Sequence, residues 1–196
     1  MTRNEILWCA VDADGNCTKI YEKMNRRTRT LAGAENVLTV SFDWRLRVGG
    51  TGGFRDLLLP VLHPVFGVPY LPASTLKGAT KAWAVRTSKS GEDIKNLFGT
   101  LDEGMGLVEF LDAFPTKPCL DIDVATPQWT WDGDDVLYRP SPHPILGLKE
   151  PTFLIGLCPT SRGNDDHVQM IKMWLGEALK EGIGSRVSAG YGRSHS

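Results

Sequence analysis

The amino-acid sequence predicts an α+β fold, a single ferredoxin-like domain related in layout to RNA-recognition modules. Residues 37–48 alternate between apolar and polar side chains, with the period of a half-buried strand. Two later segments, 74–88 and 164–180, have the apolar spacing and the capping residues of helices. With the predicted strands between and after them, the order is strand, helix, strand, strand, helix, strand. This order is the split βαβ arrangement of a ferredoxin-like sandwich.

Length and composition are those of one globular domain. The chain has 196 residues, of which 41% are hydrophobic and 23% are charged. A chain of this size buries enough surface to fold without disulfides or a metal ion, and its four cysteines form no Cys-x-x-Cys pair. No apolar run has the length of a membrane span, and the first residues lack the apolar stretch of a secretory signal. We therefore expect a cytoplasmic protein with reduced cysteines and neither a metal nor a cofactor.

The first strand follows an extension that comprises residues 1–36, within which residues 19–29 are basic and weakly helical. On the polar face of this strand, the last two residues are Arg45 and Arg47. The glycine-rich loop that comes next contains Arg55 and Asp56. An aspartate on such a loop can position a metal ion for phosphodiester cleavage, although capping a turn is its commoner role.

The helix predicted over 74–88 begins at Ser74, a good N-cap residue. Lys77 and Lys81 are four residues apart and therefore share a helix face. Because a helix N-terminus has unpaired N–H groups and a partial positive charge, we expect this one to favour a phosphate. Lys77 in the first turn opposes the helix dipole, a local misfit that is typical of functional positions. A solvated lysine on an ordinary helix is the alternative interpretation.

The second half of the chain supplies the remaining elements. Residues 126–150 are acidic and rich in proline, and we interpret them as a loop or an extended hairpin inserted into the domain 37–196. Asn164 is the expected N-cap of the last helix, which ends at Gly182. Strands are predicted on either side of the insertion, over 107–114, 119–125 and 152–158.

A glycine-rich loop and a short last strand are predicted after this helix. Four glycines between 182 and 193 alternate with serine, arginine and tyrosine. Glycine permits positive φ angles and a close approach of another backbone, and exposed N–H groups in such a loop can hold phosphate oxygens. Arginine adds charge-assisted contacts and tyrosine adds a stacking face. A helix cap followed by a tight turn would use the same glycines.

Charge is unevenly distributed along the chain. The net charge of −1 would argue against a nucleic-acid partner if it stood alone. Residues 1–100, however, contain 14 Lys and Arg against 9 Asp and Glu, whereas residues 101–150 contain 3 against 10. The surface therefore need not be neutral anywhere, and a basic face remains compatible with the composition.

Two segments resemble motifs of the RAMP superfamily of CRISPR proteins. Residues 70–78, YLPASTLKG, are similar to its helix-opening motif, with Ala73 where glycine is commoner. Residues 182–193 are similar to its C-terminal glycine-rich loop, with Ser185-Arg186 where a small residue and lysine are usual. Within the superfamily, further segments resemble the sixth-subunit family of the Cmr complex, the type III-B RNA-guided effector: 63–69, 96–99 and 108–115 with 123–127.

The resemblance, which covers about residues 37–196, implies a non-catalytic subunit that binds guide RNA (crRNA) near its 3′ end. Its other partners would be target RNA and the RAMP and small subunits of a Cmr-type ribonucleoprotein complex. The acidic segment 101–150 would then face neighbouring subunits. Together with the arginines of the first strand and its loop, the matching motifs place the RNA contacts at Arg45, Arg47, Arg55, Ser74, Lys77, Lys81, Gly184, Ser185, Arg186, Gly190, Tyr191, Gly192 and Arg193.

Two other functions stay open at this stage. The backbone nuclease of type III systems has an essential aspartate in the loop after its first strand, and Asp56 lies in a comparable loop. A metal-dependent endoribonuclease that cuts target RNA is therefore the main alternative. A scaffold that contacts only protein is the third.

Overall fold

The computed structural model of the chain describes residues 2–49, 60–100, 102, 104–126, 129–132, 135–138, 140 and 142–194. The α-helices in these ranges are α1 (Arg3–Gly15), α2 (Thr18–Ala32), α3 (Ala73–Arg86), α4 (Gly91–Phe98) and α5 (Asp165–Glu181). The strands are β1 (Val37–Ser41), β2 (Arg45–Leu46), β3 (Gly99–Thr100), β4 (Gly104–Met105), β5 (Val108–Phe110), β6 (Phe114–Pro115), β7 (Leu120–Ala125), β8 (Trp129–Asp132), β9 (Asp135–Tyr138), β10 (His143–Lys149) and β11 (Thr152–Pro159). The mixture of helices and sheets confirms the predicted α+β class.

Strand β11 is the centre of the main sheet. It pairs antiparallel with β1 on one side and with β5 and β6 on the other, and an antiparallel bridge between Phe42 and Ser194 lies beyond β1. Because side chains alternate along a strand, Phe153, Ile155 and Leu157 point to one face. There they form the main hydrophobic core with residues of α3 and α5.

Helix α2 covers the opposite face of β11. A Cβ atom at Gly156 would lie only 2.7 Å from Cγ2 of Thr28, so glycine permits the close approach of the helix. The segment expected to be weakly helical is part of this 15-residue helix. It is fully formed because Tyr21, Met24 and Ala32 are buried on its inner side.

The last turn of α1 is fixed to the start of β7 through the buried carboxylate of Asp14. This carboxylate accepts hydrogen bonds from the N–H groups of Cys119 and Leu120, both at 2.9 Å, and from the hydroxyl of Tyr21. Leu7 of α1 belongs to the main core. Helix α2 is therefore packed against the main sheet, and α1 against β7 and β10 of the second sheet.

The prediction of one continuous strand over 37–48 is wrong, because the chain changes sheets in the middle. β1 pairs with β11, whereas β2 pairs with β10 in a second sheet of order β2-β10-β7. At the change of direction, the N–H of Glu150 donates to the carbonyl oxygen of Trp44 at 2.6 Å. The bend turns Trp44 out of the core, and its side chain is 47% exposed.

The capping prediction for the last helix is confirmed. The Asn164 side chain accepts the N–H of His167 at 3.1 Å, and the helix stops at Gly182 with a φ of 118°. Such local signals lie within one turn of the helix end, so the sequence alone specifies them.

Residues 126–150 contain two different structures. β8 and β9 form the expected hairpin, but β10 is the central strand of the second sheet. The expected last strand is reduced to the Ser194 bridge, after a short 3₁₀ helix at Val187–Ala189. The four cysteines are free thiols, and no helix in the described ranges has the length and apolarity needed to cross a membrane.

Candidate nucleic-acid interface

The glycine-rich loop 182–194 lies along the edge of β2 that does not pair with β10. The carbonyl oxygen of Arg45 accepts the N–H of Gly192, and that of Arg47 accepts the N–H of Ser185, both at 2.7 Å. The Ser185 hydroxyl also donates to the Arg47 carbonyl at 3.2 Å. Residues that are about 140 positions apart in sequence are thus brought into one surface, which we call the loop site: Arg47, Ser185, Arg186 and Arg193.

Two glycines make this close approach possible. A Cβ at Gly184 would lie 2.3 Å from the carbonyl oxygen of Arg47, and one at Gly192 would lie 2.0 Å from that of Ile183. Both residues also have positive φ angles, 85° and 69°. These glycines therefore hold the loop in place, whatever it binds.

The loop amides differ from the prediction that they are open to phosphate oxygens. The N–H groups of Ser185, Gly190, Tyr191 and Gly192 all donate to backbone carbonyls of the protein. Two of these N–H groups are occupied because the loop lies along β2 in the place of a neighbouring strand. The other two are occupied because they close the 3₁₀ turn of the loop. A phosphate at this surface would meet side chains in place of these four amides.

The two arginines Arg47 and Arg186 of the loop site differ in exposure. The alternation in the sequence places Arg47 on a solvated strand face, but only 4% of it is exposed. After the bend, the neighbouring Leu46 and Val48 are buried as well, so the alternation of exposed and buried residues ends there. Burial and then the positive charge of Arg186 lower the pKa of Arg47. Arg186 itself is exposed. Like charges held together in this way raise the local positive potential, which attracts an anion.

Arg45 has a different environment from Arg47. Its guanidinium forms ion pairs with Asp121 at 2.8 Å and with Asp123 at 3.6 Å. The Tyr191 hydroxyl also donates to Asp123, and burial followed by this hydrogen bond raises the pKa of Tyr191. The positive charge of Arg45 is therefore offset by two carboxylates. Its ion pairs connect β2 to β7.

Tyr191 is 3% exposed and does not offer the open stacking face expected from the sequence. Its ring instead packs against Trp44, with centroids 5.0 Å apart and an interplanar angle of 61°. The guanidinium carbon of Arg186 lies over the Tyr191 ring, 5.8 Å from its centroid. Sequence reasoning missed Trp44 because the period-two pattern placed it on the core face.

The predicted contacts on α3 form a separate group, which we call the helix site: Ser74, Lys77 and Lys81. Ser74 and Lys81 are exposed and Lys77 is half-buried. The hydrogen bonds that hold the loop site in place run to β2, whereas the residues of the helix site lie on α3. The structure thus leaves two distinct positive surfaces.

The start of α3 differs from the prediction. The helix begins at Ala73 after Pro72, so Ser74 is not the N-cap, and Lys77 lies beyond the first turn. The Asp112 carboxylate accepts the N–H of Ala73 at 2.7 Å. Because this carboxylate supplies a negative charge to the helix N-terminus, the expected phosphate position already has an anion from the protein.

Arg55 and Asp56 lie outside the described residues. The flanking backbone comes together beside the loop site, where the N–H of Val61 donates to the carbonyl oxygen of Val48 at 2.8 Å. Across the described ranges, no group of three or more His, Cys, Asp or Glu side chains could hold a metal ion.

Comparisons with known proteins agree on one family. A sequence profile described as the RAMP superfamily matches residues 44–194. The chain is 29% identical over 131 residues to the CRISPR system CMR subunit Cmr6 of Saccharolobus solfataricus. That match covers 65% of this chain and 45% of the relative, so the chain spans less than half of the relative's length.

Two solved structures are similar in fold. One is a chain in the cryo-EM structure of the type III-B Cmr-β complex bound to cognate target RNA, with a TM-score of 0.64, 22% identity, and coverage of 91% of this chain and 65% of that one. The other is Cmr6 from Pyrococcus furiosus, with a TM-score of 0.50, 20% identity, and coverage of 81% and 97%.

Proposed function

The chain belongs to the RAMP superfamily, and from this premise we propose that it is a non-catalytic subunit of a type III-B CRISPR effector of the Cmr type. In this role it binds the guide RNA near its 3′ end, in the cytoplasm. Its other partners are target RNA, further RAMP subunits and the small subunits of the complex. The sequence similarity to a Cmr6 protein supports the assignment to this position in the complex.

The fold proposed for this role is a ferredoxin-like domain over 37–196, with an insertion at about 126–150 and an extension at 1–36. Its support is the order of the main sheet, in which the Ser194 bridge, β1, β11 and β5 are neighbours. In that order, β1-α3-β5 and β11-α5-Ser194 interleave as two split βαβ halves.

The observation that carries the RNA-binding proposal is the exposed guanidinium of Arg186, which the glycine-rich loop holds near the buried, positively charged Arg47. Ser185 joins the two segments, since its N–H and hydroxyl both reach the Arg47 carbonyl. Guanidinium groups bind phosphate through charge-assisted, bidentate hydrogen bonds. Contacts of this kind read the RNA backbone and not its sequence, which suits a complex whose guide supplies sequence by base pairing.

Binding of the full chain to labelled single-stranded RNAs of unrelated sequence tests this proposal. We expect Arg186→Ala to weaken binding to all of them by a similar factor, and Lys95→Ala, which removes an exposed cation from α4, to leave binding unchanged. Loss confined to one RNA sequence, or equal losses in the two variants, would contradict backbone binding at the loop site.

The position along the guide needs the assembled complex. A photoreactive nucleotide near the 3′ end of the guide should crosslink to this subunit, whereas the same nucleotide near the 5′ end should not. Crosslinks from the 5′ position alone would refute the proposed placement, whether or not the isolated chain binds RNA.

The metal-dependent nuclease remains a second candidate, because the segment with Asp56 begins and ends beside the loop site, at Val48 and Val61. For this candidate, Asp56→Ala in the assembled complex abolishes cleavage of target RNA while guide binding persists. Unchanged cleavage removes it. The protein-only scaffold predicts normal assembly without any RNA crosslink to 182–193.

A further inference from the structure

An exposed tryptophan stands next to the loop site. Trp44 lies between β1 and β2, and 47% of its surface is open to solvent. One side of the indole packs on the buried ring of Tyr191. The six-membered ring of the indole faces Gly190, where an added Cβ would be 3.8 Å from Cε3 and Cζ3. The remaining indole surface has no described partner in the core.

Hydrogen bonds fix the backbone of Trp44 and the tyrosine against which its ring packs. Its carbonyl accepts the N–H of Glu150 at 2.6 Å, and the N–H of the preceding Asp43 donates to the carbonyl of Arg193 at 3.2 Å. Tyr191, on which the indole rests, is hydrogen-bonded to Asp123. A ring that is already ordered loses little conformational entropy when a ligand packs on it.

Two arginines lie on the loop beside this exposed ring. Arg186 lies over the Tyr191 ring that packs on Trp44, and the backbone of the exposed Arg193 is hydrogen-bonded to Asp43, the residue before Trp44. An aromatic face beside positive groups is the combination with which proteins bind single-stranded nucleic acids, because each base stacks while its phosphate meets a cation. A duplex offers no free base face for such a contact.

Resting on the proposed function, we propose that Trp44 stacks on one unpaired base of the RNA whose phosphates contact the loop site. The ligand class is therefore single-stranded RNA with an accessible base, bound without preference for its identity, because every base has a π-face. The bend at 42–44 that removes Trp44 from the core is what makes the ring available.

Trp8 provides a matched control. It is another exposed tryptophan, 57% open to solvent, but it lies on α1, the helix that packs on β7 and β10. Replacing either tryptophan by alanine removes the same side chain from a partly exposed position. A general effect of losing an indole would lower RNA affinity in both variants. Loss of a stacking contact would lower it only in the Trp44 variant.

The test uses the full chain with two labelled ligands, a 12-nucleotide oligouridine and an abasic ribose-phosphate oligomer of equal length. Trp44→Ala should weaken binding of the oligouridine roughly 5- to 100-fold and leave the abasic oligomer unaffected. Trp44→Phe should retain most of the affinity, and Trp8→Ala all of it. Thermal unfolding of each variant verifies the fold, and Trp44→Leu, which keeps an apolar side chain but removes the π-face, replaces Trp44→Ala if that variant does not fold.

The outcomes separate this inference from the proposed function. Arg186→Ala should weaken binding of both ligands, because it removes a phosphate contact. If Arg186→Ala acts and Trp44→Ala does not, stacking is wrong and backbone binding stands. Equal losses on both ligands in Trp44→Ala would also refute stacking. If neither substitution alters either ligand, the RNA-binding proposal itself fails. Loss of assembly with unchanged RNA affinity would make Trp44 a contact for protein.

Discussion

The loop site and the helix site contain similar residue types but have different structural support. In the loop site, Arg47 is buried, and the backbone around it is fixed by hydrogen bonds from Ser185 and Gly192. In the helix site, Ser74 and Lys81 are exposed on α3, and Asp112 caps the helix start. The backbone of the loop site is held by hydrogen bonds between distant segments, whereas the helix site is one face of a helix.

This difference predicts which of the two sites contributes more to the free energy of RNA binding. A guanidinium held near a second one loses little freedom on meeting a phosphate, and the anion relieves their repulsion. A lysine on an open helix face is fully hydrated and must be ordered by the ligand. We therefore expect the loop site to dominate RNA affinity and the helix site to contribute weakly, mainly through charge.

The largest expected effect is a loss of folding stability on substitution of Gly192, a glycine of the loop. Gly192→Ala would place a Cβ 2.0 Å from the carbonyl oxygen of Ile183 at a φ of 69°. We expect it to lower the free energy of unfolding by about 2–4 kcal/mol, since both the clash and the left-handed backbone oppose it. Urea denaturation followed by circular dichroism measures this change.

Gly78, in the interior of α3, is the matched control. A Cβ at Gly78 would meet nothing within 4 Å, so Gly78→Ala should raise the unfolding free energy by about 0.5–1 kcal/mol through helix propensity. Equal destabilisation by the two substitutions would mean that the loop site is no more constrained than the helix.

The next effect concerns charge in the loop site. Arg186→Ala should reduce affinity for single-stranded RNA by about 10-fold, as one charge-assisted contact is lost. It should also reduce the slope of log affinity against log salt by about 0.7, the value for one phosphate on a single strand. Fluorescence anisotropy at several salt concentrations gives both quantities. A normal slope would show that Arg186 meets no phosphate.

The Asp112 cap should have a smaller effect, on stability. Asp112→Ala removes the acceptor for the Ala73 N–H and should cost about 1 kcal/mol of unfolding free energy. Asp102→Ala, at an exposed position, is the control and should cost less than about 0.5 kcal/mol. Stronger RNA binding by Asp112→Ala would indicate that a phosphate competes with this carboxylate and would raise the importance of the helix site.

The smallest effect is expected at Lys81. Lys81→Ala should weaken RNA binding only about 2-fold, because a hydrated surface lysine contributes mostly long-range attraction. The measurement is the same salt titration used for Arg186→Ala. A loss as large as that of Arg186→Ala would reverse the ranking of the two sites.

Local sequence signals located α3 and α5 but not α1, and contacts between distant residues explain part of what they missed. The Asn164 cap and the Gly182 stop of α5 lie in contiguous sequence. The cap of α3 comes instead from Asp112, 39 positions further along the chain. No pattern near Ser74 could reveal that acceptor, so the helix start was placed at Ser74 and not at Ala73.

The candidate site shows the same division. Glycine and arginine in 182–193 were visible as a motif, but the partners of Arg45 were not, because Asp121 lies 76 positions away. The exchange of sheets at 42–44 was hidden for a related reason. Alternation specifies which side of a strand is apolar, but it does not specify the sheet in which the strand pairs. The alternating pattern therefore places Arg47 on the solvent face and Trp44 on the core face.

Ultraviolet crosslinking of the full chain to single-stranded RNA, followed by trypsin digestion, tests the central claim most directly. Cleavage at the arginines and lysines isolates the loop as peptides 181–186 and 187–193, Trp44 within peptide 30–45, and part of the helix site as peptide 78–81. We predict RNA adducts on 181–186, 187–193 and 30–45, with far fewer on 78–81. Adducts confined to 78–81, or to peptides of α1 or α4, would contradict it.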